Sequence, residues 1–155
     1  MKKVIFVLGA CVALCTSSCK KTDLVSLPTT QSKRLVTTPG TPEGTATSKL
    51  INAAAGGSIN SADGRISISI PAGALAANET ITIQPLTNNT GFGIGKTYRI
   101  TPHEITFTKP VSISFKYTAE EVAATNPDFL TIGFRDHAGA WQAMNRTSVN
   151  KQTKH

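Results

Sequence analysis

Gly91-Phe92-Gly93-Ile94-Gly95 is the stretch most easily taken for chemistry, because glycine-rich loops can cradle a phosphate. Such loops sit between a strand and a helix N-terminus, whose free N–H groups meet the anion. Here a period-two pattern resumes at Tyr98, and no Lys-Ser/Thr pair stands in register, so an inter-strand loop is expected. His103-Glu104 and Asp136-His137 are the acid–histidine neighbours. A metal or acid–base centre would need both pairs to converge, and neighbours on a strand point to opposite faces. Exposed turn residues are the expectation for both pairs. The chain has no Gly-x-Ser-x-Gly elbow. The Asn-x-Thr triplets at Asn78, Asn88 and Asn145 accept glycans only in a eukaryotic secretory route and otherwise mark loops. These residues predict a protein that is not an enzyme and uses no cofactor and no metal.

The cysteines are more informative. Met1-Lys2-Lys3 forms a short positive n-region, and Val4–Cys15 is an unbroken apolar run of twelve residues. A bilayer span takes about 20 apolar residues, so this run has the length of a signal-peptide core instead. Small residues then lead into Thr16-Ser17-Ser18-Cys19-Lys20-Lys21. That junction resembles the lipobox of bacterial lipoproteins, in particular those of the Bacteroidota, which tolerate Thr or Ser in place of Leu. The resemblance implies cleavage before Cys19, diacylation of its thiol and acylation of the new amine. Leu8-Gly9-Ala10-Cys11 is a competing site nearer the common consensus, but it leaves an apolar core of only about five residues. Non-lipid secretion and an uncleaved anchor stay open beside both. With Cys19 as the site, residues 1–18 are the signal peptide, Cys11 and Cys15 leave with it, and the mature chain has no free thiol. Two or three acyl chains hold a protein at a membrane essentially permanently. The expected location is the outer membrane, with the periplasmic and cell-surface faces both open.

Net charge has to be located before it is interpreted. The chain of 155 residues carries +7. Without Lys2 and Lys3, 14 basic residues face 9 acidic ones, and from Lys49 onward 10 face 7. Nucleic-acid readers cluster Lys and Arg on one face and interleave aromatics, a pattern this chain lacks, so no nucleic-acid partner is expected.

Residues 19–48 are rich in Thr, Ser and Pro and have no hydrophobic period, which predicts a disordered tether. Beyond Lys49 the pattern alternates. Ile66, Ile68 and Ile70 interleave with serines, and Ile81 and Ile83 with threonines. Tyr98-Arg99-Ile100, Glu104-Ile105-Thr106-Phe107, Val111–Tyr117 and Leu130–Arg135 follow the same rule. Half-buried antiparallel strands read this way, so residues 49–155 are expected to form an all-β antiparallel β-sandwich. Thr118-Ala119-Glu120-Glu121 matches a capping box and predicts one short helix, ended by Asn126-Pro127. Asp136–Gly139 should turn the chain between two strands, with Trp141 at the core edge. The polar ending at Lys154-His155 fits equally a short natural protein and a fragment that stops before its last strand.

Gly56-Gly57-Ser58-Ile59, followed by Ile70-Pro71-Ala72-Gly73-Ala74-Leu75 and later by Pro102–Phe107 and Lys109-Pro110-Val111, resembles the ZU-five module of ankyrins, netrin receptors and tight-junction scaffolds. The likeness covers some 60 to 90 residues. The resemblance implies a β-sandwich used as a structural or protein-interaction module. One variant of that family cleaves its own backbone at a His-Phe-Ser step, which this sequence does not contain. Two partners are therefore expected: the membrane, through the lipid, and an unidentified envelope protein. A glycan, bound by an adhesive module of a surface polysaccharide-uptake system, is the alternative. It would use Trp141, Phe92 and Tyr98 as the candidate contacts.

Overall fold

The computed structural model describes residues 35–145 and 148–151. The expected signal peptide, Cys19 and the expected tether as far as Arg34 lie outside the described residues. No helix among those described is long and apolar enough to cross a membrane.

The fold is all-β, and the described residues form three antiparallel sheets. Strands β1 (Thr47–Ile51), β4 (Glu79–Leu86) and β5 (Thr97–Thr101) form one sheet in the order β1-β4-β5. Strands β2 (Gly57–Asn60), β3 (Ile66–Ile70) and β6 (Ser112–Phe115) form a second in the order β2-β3-β6. A hairpin of β7 (Gly133–Arg135) and β8 (Trp141–Ala143) makes the third. The alternating isoleucines explain the layering. Ile51, Ile81 and Ile83 from the first sheet meet Ile59, Ile66, Ile68 and Ile70 from the second in one buried cluster. Each β-branched side chain suits a pleated surface and leaves its polar neighbours to water.

Strand directions sort the connections into two ends. The three segments that cross between the sheets, 52–56, 71–78 and 102–111, gather at one end. There Gly73 N–H donates to Ala53 O at 2.8 Å, and Ala53 N–H donates to Asn78 Oδ1 at 2.9 Å. Thr108 Oγ1 donates to Gly73 O at 2.8 Å, and Lys109 Nζ donates to Ala72 O. Gly56 holds φ +70°, and a Cβ there would stand 2.3 Å from Ile70 O, so only glycine fits. Ala74 and Leu75 are buried and plug this end. The two motifs noted in the sequence, 70–75 and 108–111, thus bond directly to each other.

Two expected elements differ from the sequence reading. Residues 104–107 form no strand: the stretch crosses between sheets, bracketed by Pro102 and Pro110, and finds no ladder partner. The capping box at 118–121 does close, with Thr118 N–H donating to Glu121 Oε2 at 2.8 Å and Glu121 N–H to Thr118 Oγ1 at 3.3 Å. Residues 119–125 nevertheless wind as successive turns, because so short a run cannot offset the cost of helix nucleation. The helical piece is instead a 3₁₀ helix at Pro127–Phe129, capped by Asn126 Oδ1, which accepts from Asp128 N–H.

The segment expected to be tether also contributes structure. β1 begins at Thr47, and residues 35–43 run along the sandwich. Val36 bridges Ala140, and Pro42 bridges Leu86. Thr87 N–H donates to Thr41 O at 2.9 Å, and Glu43 N–H donates to Pro85 O at 2.9 Å. Two free strand ends supply the reason: β4 outruns β1, and β8 has one open side. Extended Thr-rich chain can pair with both.

Candidate functional site

The end opposite the crossovers carries the candidate residues. It is built from the β2–β3 turn (61–65), the β4–β5 loop (87–96), the exit from β6 and residues 35–43. The glycine-rich stretch lies in the β4–β5 loop, as its sequence predicts. Asn88 organises it: Nδ2 donates to Gly93 O at 2.8 Å and to Gly95 O at 2.9 Å, and Oδ1 accepts from Thr90 N–H and Oγ1. Asn88-x-Thr90 is a local Asx motif, so the triplet expected to mark a loop also organises it.

Fixing the loop base lifts Phe92 into solvent, where it is 61% exposed. Phe92 meets Trp141 edge to face, with ring centroids 6.5 Å apart and planes at 88°. Trp141 is half-buried; its Nε1–H donates to Thr37 Oγ1 at 2.8 Å and its backbone N–H to Leu35 O at 3.0 Å. Three segments distant in sequence therefore position this aromatic pair. Tyr98 does not join it. As an inward residue of β5, it packs on Phe115 of β6 at 5.8 Å, and its hydroxyl donates to Asp63 Oδ2 at 2.9 Å. Alternation along β5 already places Tyr98 on the same face as Ile100, the core face, so its separation from Phe92 is a consequence of strand register.

The β2–β3 turn and the end of the β4–β5 loop carry a charged network. Asp63 accepts from Ser61 Oγ at 2.5 Å and from Arg65 N–H at 3.2 Å, and Lys96 Nζ stands 3.8 Å from it. Arg65 Nη2 contacts both oxygens of Glu121, at 2.6 and 2.5 Å. Burial raises the Asp63 carboxyl pKa, but the bonds from Ser61, Arg65 N–H and Tyr98 outweigh it and hold the group below its ordinary value. Glu121 behaves alike: burial raises it, while Arg65 and Thr118 N–H bring it down on balance. Tyr98 is pushed well up, first by burial and then by its bond to Asp63.

The two acid–histidine pairs lie in different turns. Asp136 Oδ1 accepts from Ala140 N–H and Oδ2 from Gln142 Nε2–H, so it braces the hairpin turn before β8. His103 and Glu104 sit in the crossover turn. Among the described residues no group of three His, Cys, Asp or Glu side chains could hold a metal ion. The chain matches no protein-family model, and no curated protein or solved structure is significantly similar to it.

Proposed function

We propose that this chain is a lipid-anchored protein of the bacterial cell envelope whose β-sandwich is a non-catalytic structural and protein-interaction module. Its contact surface is the loop end around β8. The observation that carries this reading is the gathering of exposed apolar side chains there. Val36 and Phe92 are 60% and 61% exposed, and Leu35, Ile94 and Phe134 are exposed as well. All five lie on segments that pair with β8 or touch Trp141. Grouped apolar exposure of this kind marks interaction surfaces, and aromatic anchors carry much of the energy at such surfaces. The resemblance of 56–117 to the ZU-five module supports the same reading, and the Cys19 junction supports the anchor.

A photo-reactive residue placed at Phe92 on intact cells should yield a defined adduct, and the same residue at exposed Leu50 on β1 should not. Equal labelling from both positions, or none from either, would overturn the assignment. Fatty-acid incorporation should vanish in Cys19→Ala; persistence would remove the anchor from the proposal.

The Phe92–Trp141 pair also favours one second reading, a glycan-binding or adhesive module. Perpendicular rings make a corner, not a flat platform, and the indole N–H is already engaged by Thr37. Quenching of Trp141 fluorescence by neutral oligosaccharides would move the balance toward it.

A further inference from the structure

The outer face of the β2-β3-β6 sheet is unusual in composition. Register places Ser58, Ser69 and Ser112 in one row across the three strands and Asn60, Ser67 and Ser114 in the next. All six point away from the buried isoleucines, and none is long enough to fold over its neighbours. Outer faces of soluble sheets usually carry longer or β-branched polar residues, which have higher strand propensity than Ser or Asn. At the loop end this shelf deepens into a groove of about 250 Å³ lined by Asn60, Gly64, Arg65, Ser67, Ser114 and Lys116. Lys116 N–H donates to Arg65 O at 2.8 Å, so the two cationic residues stand side by side. Arg65 engages Glu121 through Nη2 alone among the described contacts, and Lys116 has no ion pair among the described residues.

We propose that this shelf and groove bind an anionic saccharide, with its carboxylate between Arg65 and Lys116 and its hydroxyls along Asn60, Ser67 and Ser114. The chemistry selects the class. Short hydroxyl and amide side chains both donate and accept, as sugar hydroxyls do. Glu121 already pairs Arg65 through Nη2, so Lys116 supplies the positive charge that no described carboxylate neutralises, and charge-assisted bonds are the strong ones in such a site. The lining offers no apolar side chain to an acyl chain or a hydrophobic peptide. The volume falls below the roughly 300–1,000 Å³ of sites that engulf a small molecule. The groove therefore holds one charged ring of a longer chain that lies along the serine rows. This site is separate from the aromatic corner, and its ligand is independent of the partner proposed there.

Titrating the ¹⁵N-labelled full-length protein with trigalacturonate should shift the amide resonances of Ser67, Ser114 and Lys116. Neutral galactotriose should bind at least tenfold more weakly. Lys116→Glu should weaken trigalacturonate binding at least tenfold, and Ser114→Phe, which fills the groove without changing charge, should do the same. Trp141→Ala should leave it unchanged. Sodium sulfate matching trigalacturonate in affinity would reduce the groove to a bare anion site and overturn the saccharide. Shifts mapping to residues 91–95 and 141, or unaltered binding by the two groove variants, would overturn the site itself.

Discussion

Asp63 and Glu121 join side chains that the sequence scatters over some sixty positions, and both are held ionised below their ordinary values. A carboxyl with a depressed folded-state pKa contributes stability above its unfolded pKa and loses it as pH falls through the folded value. For Glu121 that loss begins near its ordinary 4.5 and grows below it. Glu121→Gln should therefore flatten the acid limb of a pH–Tm profile and cost about 1–2 kcal/mol at neutral pH, as expected for a partly screened charge-assisted pair. Tyr98 works in the opposite direction. Its raised pKa means the folded state keeps its proton after the unfolded chain releases it near 10, so stability declines above that pH. Tyr98→Phe should remove that alkaline decline and lower stability by about 1 kcal/mol through the lost bond to Asp63. Chemical denaturation at pH 7 and pH 11 measures both effects. None of these pairings is readable from residue spacing; each depends on which loops meet at one end of the sandwich.

At the level of elements, the strand pattern transfers well. Alternation around Ile66–Ile70, Thr80–Gln84, Tyr98–Ile100 and Val111–Phe115 predicts β3 to β6, because a half-buried strand must segregate its faces. Periodicity misleads at Glu104–Phe107, where the same pattern sits in a crossover without a partner edge. It is silent at Leu35–Glu43, whose pairing depends on edges that only the assembled sheets provide. That segment has a measurable consequence. Thr37→Ala removes the acceptor of the Trp141 indole N–H, which should shift tryptophan emission to the red and destabilise by about 1 kcal/mol. Unchanged emission would show that residues 35–37 do not cover Trp141 in solution.

For the whole molecule, the buried core and the proposed contact surface are separated in space. The isoleucine cluster runs through the centre, while the large exposed apolar side chains of the candidate surface gather at the loop end. Ile83 is fully buried at 0% exposure, so Ile83→Ala should cost about 3–4 kcal/mol. Phe92→Ala should cost at most about 1 kcal/mol, the worth of its edge contact with Trp141. A partner-binding assay should rank them the other way, with Phe92→Ala the more damaging once folded protein is compared. Urea denaturation of both variants checks the first half of this contrast.

The residue pattern alone carries the all-β class, the faces of most strands and the hairpin turn at 136–139. Those features are local: alternation, proline and glycine each act within a few residues. It also placed Phe92 and Trp141 on a short roster of possible contacts. The assembled fold alone brings these two together, sets the inward-facing Tyr98 hydroxyl on Asp63, and places Thr37 on the indole. Strand order, crossing direction and edge pairing set those meetings, and they emerge only when the two sheets close on a shared core.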